Sequence, residues 1–399
     1  MESRQPAAGR SIINHPSSFI LHPSSFVAAL LLAAAGCEWS PPPEFRLNLE
    51  GRDPDKITLL QSEAITEILA ELFGTPDQPA IPDEAGLDLR FLERAAGPTV
   101  RSEEVGRGSV YQHGLYRQHC AVCHGISGDG AGPLVSVLDP YPRDFRKGIF
   151  KYTSTLAGAK PTGEDIEWTL ARGIPGTGMP SFAGLKPAET AALIEYVEYL
   201  SIRGQTESYV IQLIVDEDEY LPLGADAKEM ILDESALSAA ESWALPEQYA
   251  EQYVVVPPPR SLVNTPQRLA DSIALGRELY AGEDAQCVKC HGPDGAGDGE
   301  ETELYDDWNK LKKGLTPEET KELARRFTLP LQRLRARDFR EGAFRGGDRP
   351  EDLYCRVYIG IKGTPMAPVG PSPGTPGVMT PEEIWHVVDY IRSLGMKDE

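Results

Sequence analysis

Cationic residues are scarce in this chain: 39 Lys and Arg stand against 61 Asp and Glu over 399 residues, a formal charge of −22. A surface of that sign repels polyphosphate, which excludes nucleic acid as a partner. Cysteine is sparse too. Of six, four sit in two short motifs, so only Cys37 and Cys355 remain and a disulfide framework is excluded. No apolar run reaches the roughly 20 residues that span a bilayer, so any membrane association must rest on a lipid or a partner.

What is present is Cys-x-x-Cys-His, twice: Cys120-Ala-Val-Cys123-His124 and Cys287-Val-Lys-Cys290-His291. In this pentapeptide the two thiols add across the haem vinyl groups and the adjoining imidazole is left to bind the iron. A redox dithiol or half a zinc site would leave the histidines unexplained. With so few Cys and His, random placement gives even one copy about once in a thousand such sequences. The chain is therefore expected to carry two covalently bound haem c groups.

The surroundings of the motifs repeat. Pro142-Arg143-Asp144-Phe145-Arg146-Lys147-Gly148 returns as Ala336-Arg337-Asp338-Phe339-Arg340-Glu341-Gly342, and Glu164 through Met179 aligns without a gap on Glu351 through Met366. Each copy then closes on an expected helix, Ala188 to Leu200 and Pro381 to Leu394, with Tyr196 and Tyr390 in register. The aligned methionines sit in Gly/Pro-rich loops, and a thioether is a common sixth ligand in electron-carrying haem c, so Met179 and Met366 are the expected axial partners of His124 and His291. Met379 is the alternative for the second iron. His113, His119 and His386 are further imidazoles, without repeat partners. Arg143 and Arg337 are candidate contacts for haem propionates, the alternative being a solvated turn beside a core phenylalanine. Cys355 aligns with Trp168 and reads as a buried core thiol. The glycines after each motif lack the lysine and preceding strand of a phosphate loop, and the acids among them lack a calcium-loop spacing.

Both halves resemble class I cytochrome c domains, over roughly residues 103–203 and 268–396. The resemblance implies a mainly α fold of two such domains in tandem, each with an N-terminal helix crossing the C-terminal one. Those N-terminal helices would be Glu103 to His119 and Arg268 to Ala281. It also implies a proline that accepts a hydrogen bond from the proximal imidazole: Pro133 fits in the first copy, and the second has none at the matching place. The domains are then a leader (1–37), an N-terminal helical extension (38–100), a first cytochrome domain (101–205), an acidic, Pro-rich linker (206–266) and a second cytochrome domain (267–399).

In the leader, Val27 to Gly36 is apolar and runs into Cys37, resembling a bacterial lipoprotein signal whose cysteine is acylated. The alternative is a soluble periplasmic protein that loses Cys37 with its leader. Either way the location is extracytoplasmic. In the extension, Ile57 to Phe73 repeats apolar residues at three- and four-residue intervals, an amphipathic helix ended by Gly74, expected to pack on the first haem domain. Glu207 to Glu251 holds twelve acids and one lysine, read as a solvated face or as a steering surface for a basic redox partner. An insertion in the second copy includes Thr316-Pro317-Glu318-Glu319, a capping box opening a helix to Arg326.

The expected function is single-electron transfer between respiratory proteins, not catalysis. A terminal oxidase, a quinol-oxidising complex or another cytochrome would be the partner, by similarity to the c-type components of haem-copper oxidases and alternative complex III. Two alternatives remain: a haem enzyme (a diheme dehydrogenase of small sulfur compounds, or a peroxidase), and a fixed relay subunit of an oxidase or quinol-oxidising complex.

Overall fold

Local signals set the helices. Thr58 and Gln61 form a reciprocal capping box that opens helix α1 (Leu59–Phe73), and Gly74 ends it at φ 65°. This is the amphipathic helix read from the sequence. Helix α2 (Leu89–Ala95) follows, capped by Asp88. The computed structural model describes residues 42–49, 52–97, 100–102, 110–112, 114–216, 224–260 and 263–395, apart from 308, 311–313, 317, 320, 321 and 323–328. Cys37, His113 and the helix expected to run to Arg326 lie outside the described residues. The capping box itself is there, with Glu319 N donating to Thr316 Oγ1 at 3.2 Å and Thr316 N to Glu319 Oε2 at 2.8 Å.

The first haem domain departs from expectation at its start. Residues 103–109 of the expected Glu103–His119 helix lie outside the described residues; of the rest, Val110–Gln112 pairs antiparallel with Val100–Ser102, and the helix α3 covers only Leu115–His119. Valines and a tyrosine in the paired segments favour extended backbone over helix. Helix α4 (Ala121–His124) carries the first motif, α5 (Gly163–Arg172) precedes the Met179 loop, and α6 (Pro187–Ile211) closes the domain. Helix α2, from the extension, packs along α6, burying Leu92 and Ala95.

Helix α6 does not stop at Leu200. It continues to Ile211, into the stretch expected as linker, and the backbone goes on through α7 (Ala225–Ile231), α8 (Ser238–Gln248) and α9 (Ala250–Tyr253). Ile214, Ile231 and Trp243 join Ile65, Phe73 and Tyr199 in one core, so extension, first haem domain and acidic segment share an interior. Glu207, expected on a solvated face, is fully buried against Arg203 at 3.4 Å. The neighbouring Arg203 and Arg146 offset its burial, which nonetheless raises its pKa.

The connector then runs as an extended strand beside the first domain: Thr155 bridges Val254, and Val255 N donates to Ser154 O at 2.8 Å. The second haem domain comprises α10 (Pro266–Ala281), α11 (Cys287–His291) with the second motif, α12 (Pro350–Ile359) and α13 (Pro381–Gly395). Here the expected crossing is present. Helices α10 and α13 approach so closely that a Cβ on Gly276 would lie 1.9 Å from His386 O. Pro43–Glu399 forms one compact unit. None of the helices among the described residues is long and apolar enough to cross a membrane.

Candidate haem-binding sites

The two motifs are held by matching contacts. Tyr116, from α3, donates its hydroxyl to Gly125 O at 2.8 Å, and Tyr280, from α10, donates to Gly292 O at 2.7 Å. Each carbonyl follows a motif histidine directly, so the tyrosine fixes the end of the short motif helix. Tyr196 and Tyr390 pack on these rings at 4.8 and 5.2 Å between centroids, which explains their register in the repeat.

The histidines are aimed by the Arg-Asp-Phe repeat. His124 stacks on Phe145 at 4.4 Å and His291 on Phe339 at 4.5 Å. Nδ1 of His124 lies 3.0 Å from the carbonyl of Arg143, and Nδ1 of His291 lies 3.3 Å from that of Arg337. A carbonyl only accepts, so each Nδ1 carries the proton and each Nε2 keeps the lone pair a metal needs. Burial pushes the His124 pKa down to about 4, and lowers that of His291, so both rings are neutral and ligand-competent at pH 7. The expected acceptor, Pro133, is thereby replaced by Arg143. The expected asymmetry between the copies disappears with it, because both use the same carbonyl of the repeat.

His124, Cys120, Cys123 and Met179 line one mostly apolar cleft. Neither cysteine is held in a disulfide, and burial raises the Cys120 thiol to about 12. The residues present fit a haem: two thiols at the vinyl edge, an imidazole with a free lone pair, a thioether, and greasy walls such as Leu138, Ile166 and Val197. His119 also lines the cleft, but its ring lies against Phe182.

The methionine loops superpose in their bonding. Met179 N donates to Thr177 Oγ1 and Met366 N to Thr364 Oγ1, both at 3.2 Å, while each threonine hydroxyl donates to the isoleucine carbonyl three residues before it, Ile174 or Ile361. Ile174 N returns to Met179 O at 3.1 Å and Ile361 N to Met366 O at 3.0 Å. Met379 is instead buried in the second domain's core, 5% exposed, in the role of filler. His386 spends its Nδ1 on Ser272 Oγ at 2.7 Å. Cys355 is a buried thiol, raised to about 11 by burial.

Arg143 lines the first cleft, buried enough that its pKa falls to about 10 despite Asp306 nearby. Arg337 donates Nε to Ala343 O at 2.7 Å. Several groups at the junction of the two haem domains are invisible to single-copy sequence reasoning. Arg356 donates to Lys151 O and Thr153 O, Lys362 to Thr155 Oγ1 and Ala159 O, and Arg345 to Gly176 O. The insertion reaches over as well: Gln332 accepts from Tyr141 N and donates to Leu138 O at the mouth of the first cleft, and Asp306 pairs with Lys151. The junction is thus rich in cations on an otherwise acidic chain.

The family model for cytochrome c matches residues 113–201 and 273–395. No curated protein matches the chain. Among solved structures, the reducing HAO-like protein complex of Kuenenia stuttgartiensis matches over 70% of this chain and 93% of that one, at 26% identity with a TM-score of 0.43.

Proposed function

Because the chain belongs to the cytochrome c family, with two such domains in tandem, we propose that it is a diheme electron carrier in which His124 and Met179 ligate one iron and His291 and Met366 the other. The observation that carries this reading is the identity of the two methionine loops, bond for bond, together with two imidazoles held alike by the carbonyls of the repeat. A haem bound this way supplies one-electron oxidation and reduction at its iron. The chain does the rest. Cys120, Cys123, Cys287 and Cys290 tether the groups, the arginine carbonyls hold the imidazoles in one tautomer, and the apolar walls exclude water from the iron. An enzyme would keep one position open, and two matched thioether loops argue against that.

The cellular setting follows from chemistry and leader sequence. Covalent haem attachment to exported chains and the apolar run ending at Cys37 support an extracytoplasmic, lipid-anchored protein. Its redox partners would be a terminal oxidase, a quinol-oxidising complex or another cytochrome.

The test is a redox titration followed by optical and magnetic circular dichroism, with Met179→Ala and Met366→Ala beside the wild type. Two sulfur-to-iron charge-transfer bands, each removed by one substitution, are expected. A high-spin haem in the wild type would refute electron carriage through two closed sites and favour the enzyme.

A further inference from the structure

Arg143 and Arg337 each touch both haem domains, and they do so reciprocally. The carbonyl of Arg143 holds Nδ1 of His124 in its own domain, while its guanidinium lies against Gly363, where an added Cβ would sit 3.2 Å from Nη1. Gly363 is three residues before Met366, and Arg143 Nη2 also donates to Lys362 O, a long bond of 3.4 Å in the same loop. Arg337 mirrors the approach by packing, its guanidinium pairing meanwhile with Glu341 and Ala343 O of its own domain. Its carbonyl accepts from Nδ1 of His291, while its guanidinium lies against Gly176, three residues before Met179, where an added Cβ would sit 3.1 Å from Nη2. Arg345 completes that contact by donating to Gly176 O at 3.2 Å.

The close approach explains a feature of both loops. Gly176 has φ 70° and Gly363 φ 72°, so a residue without a side chain both makes the turn and admits a flat guanidinium onto its Cα. Repeat-equivalent residues also meet at the junction, for Gly346 aligns with Tyr152 and its Cβ would fall 2.5 Å from that ring. The approach of an arginine to the glycine of the opposite methionine loop thus occurs twice across the junction, once in each direction.

We propose that Arg143 and Arg337 are reciprocal positioning residues, each holding the proximal histidine of its own domain by its carbonyl and the methionine loop of the other domain by its guanidinium. The inference rests on the His/Met reading of both irons. Its consequence is that the strength of sulfur ligation at one iron depends on an arginine whose backbone is tied to the other iron's imidazole. A change at either end is passed on through a single residue, and the potentials of the two haems are set in trans.

The experiment uses the full-length diheme protein and charge-preserving variants, so that loss of a positive charge does not itself shift the potentials. Each haem is assigned by the Met179→Ala and Met366→Ala spectra. Arg143→Lys keeps the carbonyl and the charge but removes the planar fork. The expected result is a shift in the midpoint of the Met366 haem, with weakening of its sulfur-to-iron band, larger than any change at the Met179 haem. A tenfold change in the preference of the sulfur for reduced over oxidised iron reads as about 59 mV in a one-electron couple. Arg337→Lys should do the same to the Met179 haem, and it decides the matter if Arg143→Lys fails to assemble. If neither lysine variant, nor Arg143→Ala, alters the haem of the opposite domain while the wild type shows two sulfur-to-iron bands, the reciprocal role is overturned and the His/Met reading stands. A wild type without two such bands overturns both.

Discussion

Gly276→Ala should selectively damage the second haem domain. The methyl group would have to occupy a point 1.9 Å from His386 O and 3.0 Å from Tyr390 Cβ, where α10 crosses α13. Neither neighbour is the end of a flexible chain, so the helices must separate by about 1 Å, which at close-packed density opens gaps along the whole crossing. Overpacking of this sort costs roughly 1–3 kcal/mol, while replacing a mid-helix glycine by alanine returns up to about 1 kcal/mol. A net loss of about 2 kcal/mol is expected. For a domain of this size that lowers the melting temperature by about 4–10 °C. The displacement also carries Tyr280 away from Gly292 O, so the second haem should report it before the first. The assay is thermal unfolding followed in the far ultraviolet and in the Soret region, with Gly184→Ala as control because nothing lies within 4 Å of its Cβ position. Melting of Gly276→Ala within a degree of both wild type and control would refute the argument that this glycine is set by the helix crossing.

Two further outcomes follow from the same geometry. Tyr280→Phe removes the hydroxyl that Gly292 O accepts from within the core and should cost about 1–3 kcal/mol, read as a lower denaturant midpoint for the second domain; an unchanged midpoint would mean that water replaces the bond. Lys362 is held down to about 7 by burial at the domain junction, against an ordinary 10.5. Between those values the unfolded chain binds the extra proton, so stability should rise with pH from about 7 toward 10.5 and be lowest, and level in this respect, below 7. Lys362→Met should flatten the rise of melting temperature across that window, and an unaltered slope would assign it to other groups.

The sequence by itself determined the chemistry. Cys-x-x-Cys-His is a local pattern whose thiols and imidazole lie on one or two turns, so its meaning needs no distant contact, and a methionine recurring in register across the repeat was legible for the same reason. Helix α1 was legible too, because its capping box and its apolar period are both written within a few residues. What the proximal imidazole bonds to was not: Arg143 O is 19 residues from His124 and Arg337 O is 46 from His291, a pairing that depends on how the loop between them folds back. In the acidic segment the described acids from Asp216 to Glu251 are exposed, as its charge suggested, and the exception is Glu207. It is buried because Arg203 and Arg146 arrive from the same helix and from a distant loop, and local charge counts do not register a partner brought in by packing. Above all, the junction belongs to the tertiary structure. Arg143 over Gly363 and Arg337 over Gly176 are contacts between copies that each look complete alone, and only the docking of one haem domain on the other decides which arginine meets which loop.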